Sequence, residues 1–249
     1  MTYPSRTGPS LAVGMMLGWL ASLVGLLSIN LGQLSWLALA ALVLVRTLLQ
    51  TGLFIVAHDA MHGVLLPGRL PWNDRLGAWA LACYAALPYA ACQFNHRRHH
   101  QSAATAEDPD FHADPDGGVW RWYLRFMAGY LTAGQMTRLL GGWLLLGLIA
   151  SACSPSGWIN VLLFCTVPLL LSSLQLFLVG TYLPHRVQRS PLGRSRPDSL
   201  HLPAWLSLLA CYHFGYHREH HERPDLCWFE LPAEHRRRTP NWNEDLAAA

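Results

Sequence analysis

The stretch LGAWALACYAALPYAACQF, residues 76–94, is apolar enough to be read as a membrane span, and whether it crosses decides the fold. Histidine clusters flank it, HDAMH at 58–62 and HRRHH at 96–100, and a third lies in CYHFGYHREHH at 211–221. A single crossing would leave the first two clusters on opposite membrane faces, unable to share a site. Only 33 residues separate His62 from His96, too few for two full crossings with their turns. Pro88 also interrupts the run. The segment is therefore expected to be shallow or re-entrant, packed against whatever the histidines build.

Four other runs are long or apolar enough to be considered as spans: about 11–29, 34–57, 139–153 and 158–183. The 139–153 run is marginal against the ~20 residues a span needs and must borrow Arg138 and the turn before it. Composition agrees with a membrane protein. Of 249 residues, 52% are hydrophobic and 13% charged, with mean hydropathy +0.19, where soluble domains carry about 25% charged residues. The fold class expected is all-α: a polytopic membrane protein, a single domain over 1–249, with a histidine-rich cap formed by 58–138 and 184–249. All arginines but Arg46 fall in 1–10, 58–138 and 184–249, so the positive-inside rule places the cap and both termini in the cytoplasm. Arg46 is expected where the second helix extends beyond the bilayer and can snorkel; an intramembrane functional arginine is the alternative.

Other classes fall away. The net charge of +3, with no basic stripe, excludes a nucleic-acid binder. The six cysteines form no C-x-x-C pair and read as buried small hydrophobes. The N-terminal run lacks a clear cleavage site and is expected to be retained. No G-x-G-x-x-G occurs, so the chain is expected to bind no nucleotide cofactor.

On a helix, His58 and His62 point the same way, and in H-x-x-H-H the second and third histidines straddle the direction of the first. Three clusters thus supply eight imidazoles to one volume. A zinc ion takes four ligands, so eight suit two metals, and imidazole favours Fe, Zn, Cu or Ni over Mg or Ca. Adjacent buried histidines without a metal would be polar burial without partners.

The three-box pattern resembles the membrane fatty-acid desaturase and hydroxylase superfamily. More narrowly, GLFIVAHDAMHG, NHRRHH…DPDFHAD, GTYLPHR and CYHFGYHREHH resemble the bacterial and cyanobacterial β-carotene 4-ketolases, from about Arg46 to Leu231. The resemblance implies a cytoplasm-facing di-iron oxygenase with two non-haem iron ions and O₂ as co-substrate. It would convert the C4 methylene of a β-ionone ring of membrane-dissolved β-carotene to a ketone. Electrons would come from a ferredoxin-type donor. Carried over, the ligands are His58 and His62, then His96, His99 and His100, then His217, His220 and His221. His185 in GTYLPHR is the expected ninth, with a solvated helix-end histidine as its alternative. Some relatives place an asparagine one turn earlier to hold a metal-bound water; Thr181 stands there, which puts that contact in doubt.

Asp59, Asp108, Asp110 and Glu219 are expected to hold the second nitrogens of ligating rings rather than to act as general bases. His213 is assigned a supporting or substrate role, and His112 a supporting or structural one. His201 and His235 are expected at the surface. Phe54, Tyr84, Trp120, Trp122, Phe126, Tyr212, Phe214 and Trp228 are candidates to wall a substrate tunnel, although 11 tryptophans also suit interfacial belts. Competing readings are a carotenoid ring hydroxylase, a fatty-acid desaturase and, from another class, a membrane metal-binding or transport protein.

Overall fold

The computed structural model describes residues 7–103, 105–111, 118–185 and 197–239, and its regular elements there are all helical. In chain order they are α1 (Thr7–Leu27), α2 (Trp36–His62), α3 (Leu70–Ala85), α4 (Tyr89–Ser102), α5 (Gly118–Tyr130) and α6 (Ala133–Cys153). Then follow α7 (Gly157–His185), α8 (Ala204–Cys211), α9 (His217–Glu222) and α10 (Leu231–Arg238). Helices α1, α2, α6 and α7 are long and apolar enough to cross a membrane. The marginal run does begin before residue 139: α6 starts at Ala133, capped by Thr132, whose hydroxyl accepts from the Gln135 N–H at 3.2 Å.

Local chemistry explains why α2 carries the first histidines on its last turn. Ser35 caps its start, and the helix continues past Ala57 to close at Gly63, where φ is +76°. The chain then folds back. Helix α3 returns along α2, with Asn73 Nδ2 donating to the Ala60 carbonyl at 2.7 Å and Gln50 donating to that of Tyr84. Close approach requires Gly77: a Cβ there would meet the Ala60 Cβ at 2.6 Å and the Tyr89 ring at 2.5 Å.

Ala86 ends α3 in the left-handed region (φ +55°), and Pro88 keeps Leu87 out of helical geometry. Helix α4 then climbs back. The 76–94 segment is thus a helical hairpin. Its tip lies beside Gln50, twelve residues before His62, or ~18 Å down α2. It enters and leaves at the same end, which brings His62 and His96 together.

The snorkelling expectation for Arg46 fails. Its side chain is wholly buried (0% exposed) between α1, α2 and α7. Nε donates to the Phe164 carbonyl at 3.0 Å, and Nη1 to the Trp19 carbonyl at 2.8 Å and Ser22 Oγ at 2.9 Å. The cause lies in α7, where Pro168 has no N–H to give the carbonyl four residues back, that of Phe164. Helix α7 contains π turns at Leu162–Thr166 and Leu178–Tyr182, just before Pro168 and Pro184.

Candidate metal centre

Nine histidines converge at the end of the bundle where α2, α4, α7 and α9 meet, in two groups. His58, His62, His96, His100 and His220 form one; His99, His185, His217 and His221 form the other. Within each group the donor nitrogens lie within 4.8 Å of one another. These nine are the histidines assigned as ligands from the sequence. The partition follows from helix geometry. His96 and His100, four apart on α4, share a face, whereas His99 is turned roughly 100° from His100. On α9 the same rule sends His217 and His221 one way and His220 the other.

The rings turn their Nε2 atoms inward. His62 and His96 approach at 2.7 Å, His100 and His220 at 2.9 Å, His185 and His217 at 2.9 Å, and His99 and His221 at 3.1 Å. The groups abut: the His100 and His221 rings stack at 4.2 Å. Burial, and then repulsion between the rings, pulls His96, His217, His220 and His221 well below the usual imidazole range, and His100 to about 2. Neutral imidazole is the form a metal needs. Among the described residues, the buried Nδ1 atoms of His58, His185 and His217 have no hydrogen-bond partner. Inward donor nitrogens, five in one group and four in the other, on rings mostly held neutral by burial, fit one transition-metal ion in each.

The expected outer partners divide. Asp108 Oδ1 meets His99 Nδ1 at 2.8 Å, both buried. Burial alone would lower His99, but this bond and the charges of Asp110 and Asp108 raise it above its ordinary value. Asp59 lies 3.6 Å from His58 Nδ1 and accepts instead from the Trp228 N–H at 3.2 Å. Among the described residues Asp110 is hydrogen-bonded to no imidazole nitrogen: its Oδ1 accepts from Tyr130 Oη at 2.8 Å, and burial raises its carboxyl. Glu219 points away from both groups. It accepts from His235 Nδ1 at 3.0 Å and from the Ser199 hydroxyl. Burial opposes its charge, yet those donors hold it down to about 2.

His235, expected at the surface, is therefore buried (3% exposed), stacked on Tyr216 with centroids 4.1 Å apart. His201 is exposed, as expected. His213 stands outside both groups, its ring between Tyr216 and Trp228. It and Tyr212 adopt left-handed φ (+66° and +48°), strained for side-chain-bearing residues. The bend turns the chain from α8 toward α9. His112 lies outside the described residues.

Three apolar cavities run from the histidines into the bundle. The first, about 60 Å³, is bordered by His58, His96, Phe54, Phe126, Phe214 and Thr181. The second, about 250 Å³, shares Phe54, Phe126, Tyr130 and Leu176 with it and adds Tyr84. The third, about 190 Å³, shares Tyr84, Leu139, Trp143 and Leu169 with the second. Four expected wall residues border none of these. Trp120 points outward, 64% exposed, because it lies nearly opposite Trp122 on α5. Trp122 donates to the Asp110 carbonyl at 2.8 Å and packs on Phe177. Tyr212 and Trp228 pack on each other. Tyr130, which borders two cavities, was not anticipated; its spacing of four from Phe126 on α5 was the available signal.

This architecture, apolar spans with clustered histidines at one end, defines a class. The chain belongs to the fatty acid desaturase family, whose model matches residues 34–248. It is 40% identical over 195 residues to a beta-carotene ketolase of Paracoccus sp. (strain N81106 / MBIC 01143), covering 75% of each chain. It is 37% identical over 221 residues to a zeaxanthin 4-ketolase of Chlamydomonas reinhardtii, covering 86% of this chain and 48% of that one. With a beta-carotene ketolase of Haematococcus lacustris it shares 35% over 208 residues, 81% of this chain and 63% of that one. No solved structure matches this chain.

Proposed function

We propose that the chain is a carotenoid 4-ketolase, a single integral-membrane unit oxidising the C4 methylene of a β-ionone ring to a ketone. The observation that carries this reading is the junction of nine imidazoles with a row of apolar cavities entering between the spans. The similarity to ketolases supports the substrate class. The metals proposed are two non-haem irons, one held by His58, His62, His96, His100 and His220, the other by His99, His185, His217 and His221. Such a pair supplies the activation of O₂, with electrons from a ferredoxin-type donor. The arginine distribution supports a cytoplasmic site and termini.

The chain's own part is positioning and exclusion. An apolar substrate enters laterally from the bilayer, and Phe54, Phe126 and Phe214 border the space beside His58 and His96, holding one ring there and excluding water. Asp108 fixes the orientation of His99. Ketone formation needs two successive oxygen insertions at one carbon. The resulting geminal diol loses a proton from one hydroxyl while the other leaves as water. Tyr130 and Asp110 border this cavity as a hydrogen-bonded phenol–carboxyl pair able to take that proton and hand it to the departing hydroxyl.

Expression in a β-carotene-accumulating bacterium tests the proposal. Echinenone and canthaxanthin are the expected products. Unchanged β-carotene beside folded, iron-loaded protein would overturn it, and C3 alcohols would move the chain to the hydroxylases.

A further inference from the structure

The third cavity, farthest from the histidines, carries a feature that an oily binding tube does not need. It is bordered by Arg46, whose Nε and Nη1 are bonded but whose Nη2, wholly buried, has no hydrogen-bond partner among the described residues. The Trp19 ring lies 5.2 Å from the guanidinium carbon and offers only its face. A free donor on a buried cation within a membrane helix is costly unless something accepts from it.

Depth limits what that can be. Arg46 lies ten residues after Trp36 and sixteen before His62, or ~15 and ~24 Å from the ends of α2. Lipid phosphates and carboxylates sit at those ends, out of reach. The acceptor must therefore belong to a largely apolar molecule that enters the bundle core. Along α7 the cavities extend from Thr181 to Cys165, sixteen residues or up to ~24 Å. That approaches the length of a rod comparable with the ~30 Å hydrocarbon core, as a carotenoid is.

We infer that this distal cavity receives the far ring of a carotenoid already oxidised there, with its ketone oxygen accepting from Arg46 Nη2. The inference rests on the ketolase reading and adds a preference to it: the monoketone is a better substrate than β-carotene. A ketone suits the cavity because it only accepts. The side-chain oxygen of neighbouring Gln50 already accepts from Trp19 Nε1 at 2.6 Å, whereas Arg46 Nη2 is a donor with nothing among the described residues to give to. Arg46 is thus assigned as a specificity determinant, far from the reacting carbon.

The test compares kcat/KM for echinenone and for β-carotene on the same membranes, so that losses of folded protein cancel. The wild type should favour echinenone by about tenfold, the effect of one hydrogen bond from a charged donor to a buried acceptor. Arg46→Gln should bring the ratio near one, and Arg46→Lys should restore part of it. A measurement on the wild type alone guards against variants that do not fold. The carbonyl stretch of bound echinenone should fall to lower frequency than in hydrocarbon solvent. A ratio near one in the wild type, or a carbonyl stretch at its hydrocarbon value, would overturn the inference while leaving ketolase activity intact. Failure to turn over β-carotene at all would instead overturn the ketolase reading.

Discussion

His235→Ala separates two opposed views of one residue. A surface histidine, as the sequence suggested, should change stability by no more than about 0.5 kcal/mol on replacement. The structure gives a much larger value. Glu219 is wholly buried (0% exposed), and among the described residues its side-chain hydrogen-bond donors are His235 Nδ1, at 3.0 Å, and the Ser199 hydroxyl. Removing one donor from a buried carboxylate costs about 1.5–3 kcal/mol. Loss of the stack on Tyr216, at 4.1 Å, adds ~0.5–1 kcal/mol. The total, ~2–4 kcal/mol, corresponds to a fall in melting temperature of roughly 4–16 °C for a chain of this size. Tryptophan fluorescence of detergent-solubilised protein would read it. His235→Gln, which keeps an N–H, should recover about half. A loss for His235→Ala within ~0.5 kcal/mol of zero would refute the buried pair. The pH dependence has a definite sign. Glu219, ordinarily near 4.5, is held down to about 2, so the unfolded chain takes up the proton first. The stability it contributes is fully present above pH 4.5 and is lost as pH falls toward 2. The gap between wild type and Glu219→Gln should close over that window.

Asp108→Asn leaves the shape at His99 but weakens the bond that orients its ring, and should lower metal content or turnover about 10–100-fold, read by metal analysis and product chromatography. His220→Ala and His99→Ala remove donors from different groups, so each should lower the metal bound per chain by about one ion and abolish product; full activity in either variant would remove that residue from the ligand set. Gly77→Ala forces a methyl against Ala60 and Tyr89, and should destabilise by ~1–3 kcal/mol in the same fluorescence melt, with reduced metal loading as α4 is pushed from α2.

What could be read from sequence divides along the range of the interactions. The aim of each histidine cluster depends on residues three and four apart, so the convergence of the eight clustered rings was accessible, as was the hairpin forced by the short path from His62 to His96; the lone His185 was reached only through the family resemblance. Helix geometry splits the rings of α4 and of α9 into two sets each, but which sets meet across helices needed the packing of α2, α4, α7 and α9. Acidic partners were the hardest to pair. Glu219 sits between two ligand histidines in sequence, but position 219 faces away from the groups its neighbours join. It finds His235 sixteen residues later instead. Arg46 was misplaced for a related reason. Its partner carbonyl lies 118 residues away and is free because of Pro168, a relation visible only once α2 and α7 are packed together. Trp120 was misread because nearness to the boxes in sequence says nothing about which side of α5 a ring occupies.

The histidine shell also constrains how the fold holds together. A neutral imidazole can donate to only one neighbour, and His221 Nε2 faces both His99 at 3.1 Å and His217 at 3.0 Å. Hydrogen bonding among the rings therefore leaves lone pairs facing one another. Protonation is no remedy, because burial and mutual repulsion hold most of the rings outside the spans well below the usual range. Cations bound at the two proposed centres would relieve both problems by accepting those lone pairs, and their binding free energy would then also be packing free energy for the ends of α2, α4, α7 and α9. Chelation should accordingly loosen that end of the bundle first, with amide exchange rising in α9 while the far cluster around Leu23, Ala150 and Val161 stays protected. Uniform loosening of both ends would show that the imidazoles hold the metals without the metals holding the fold.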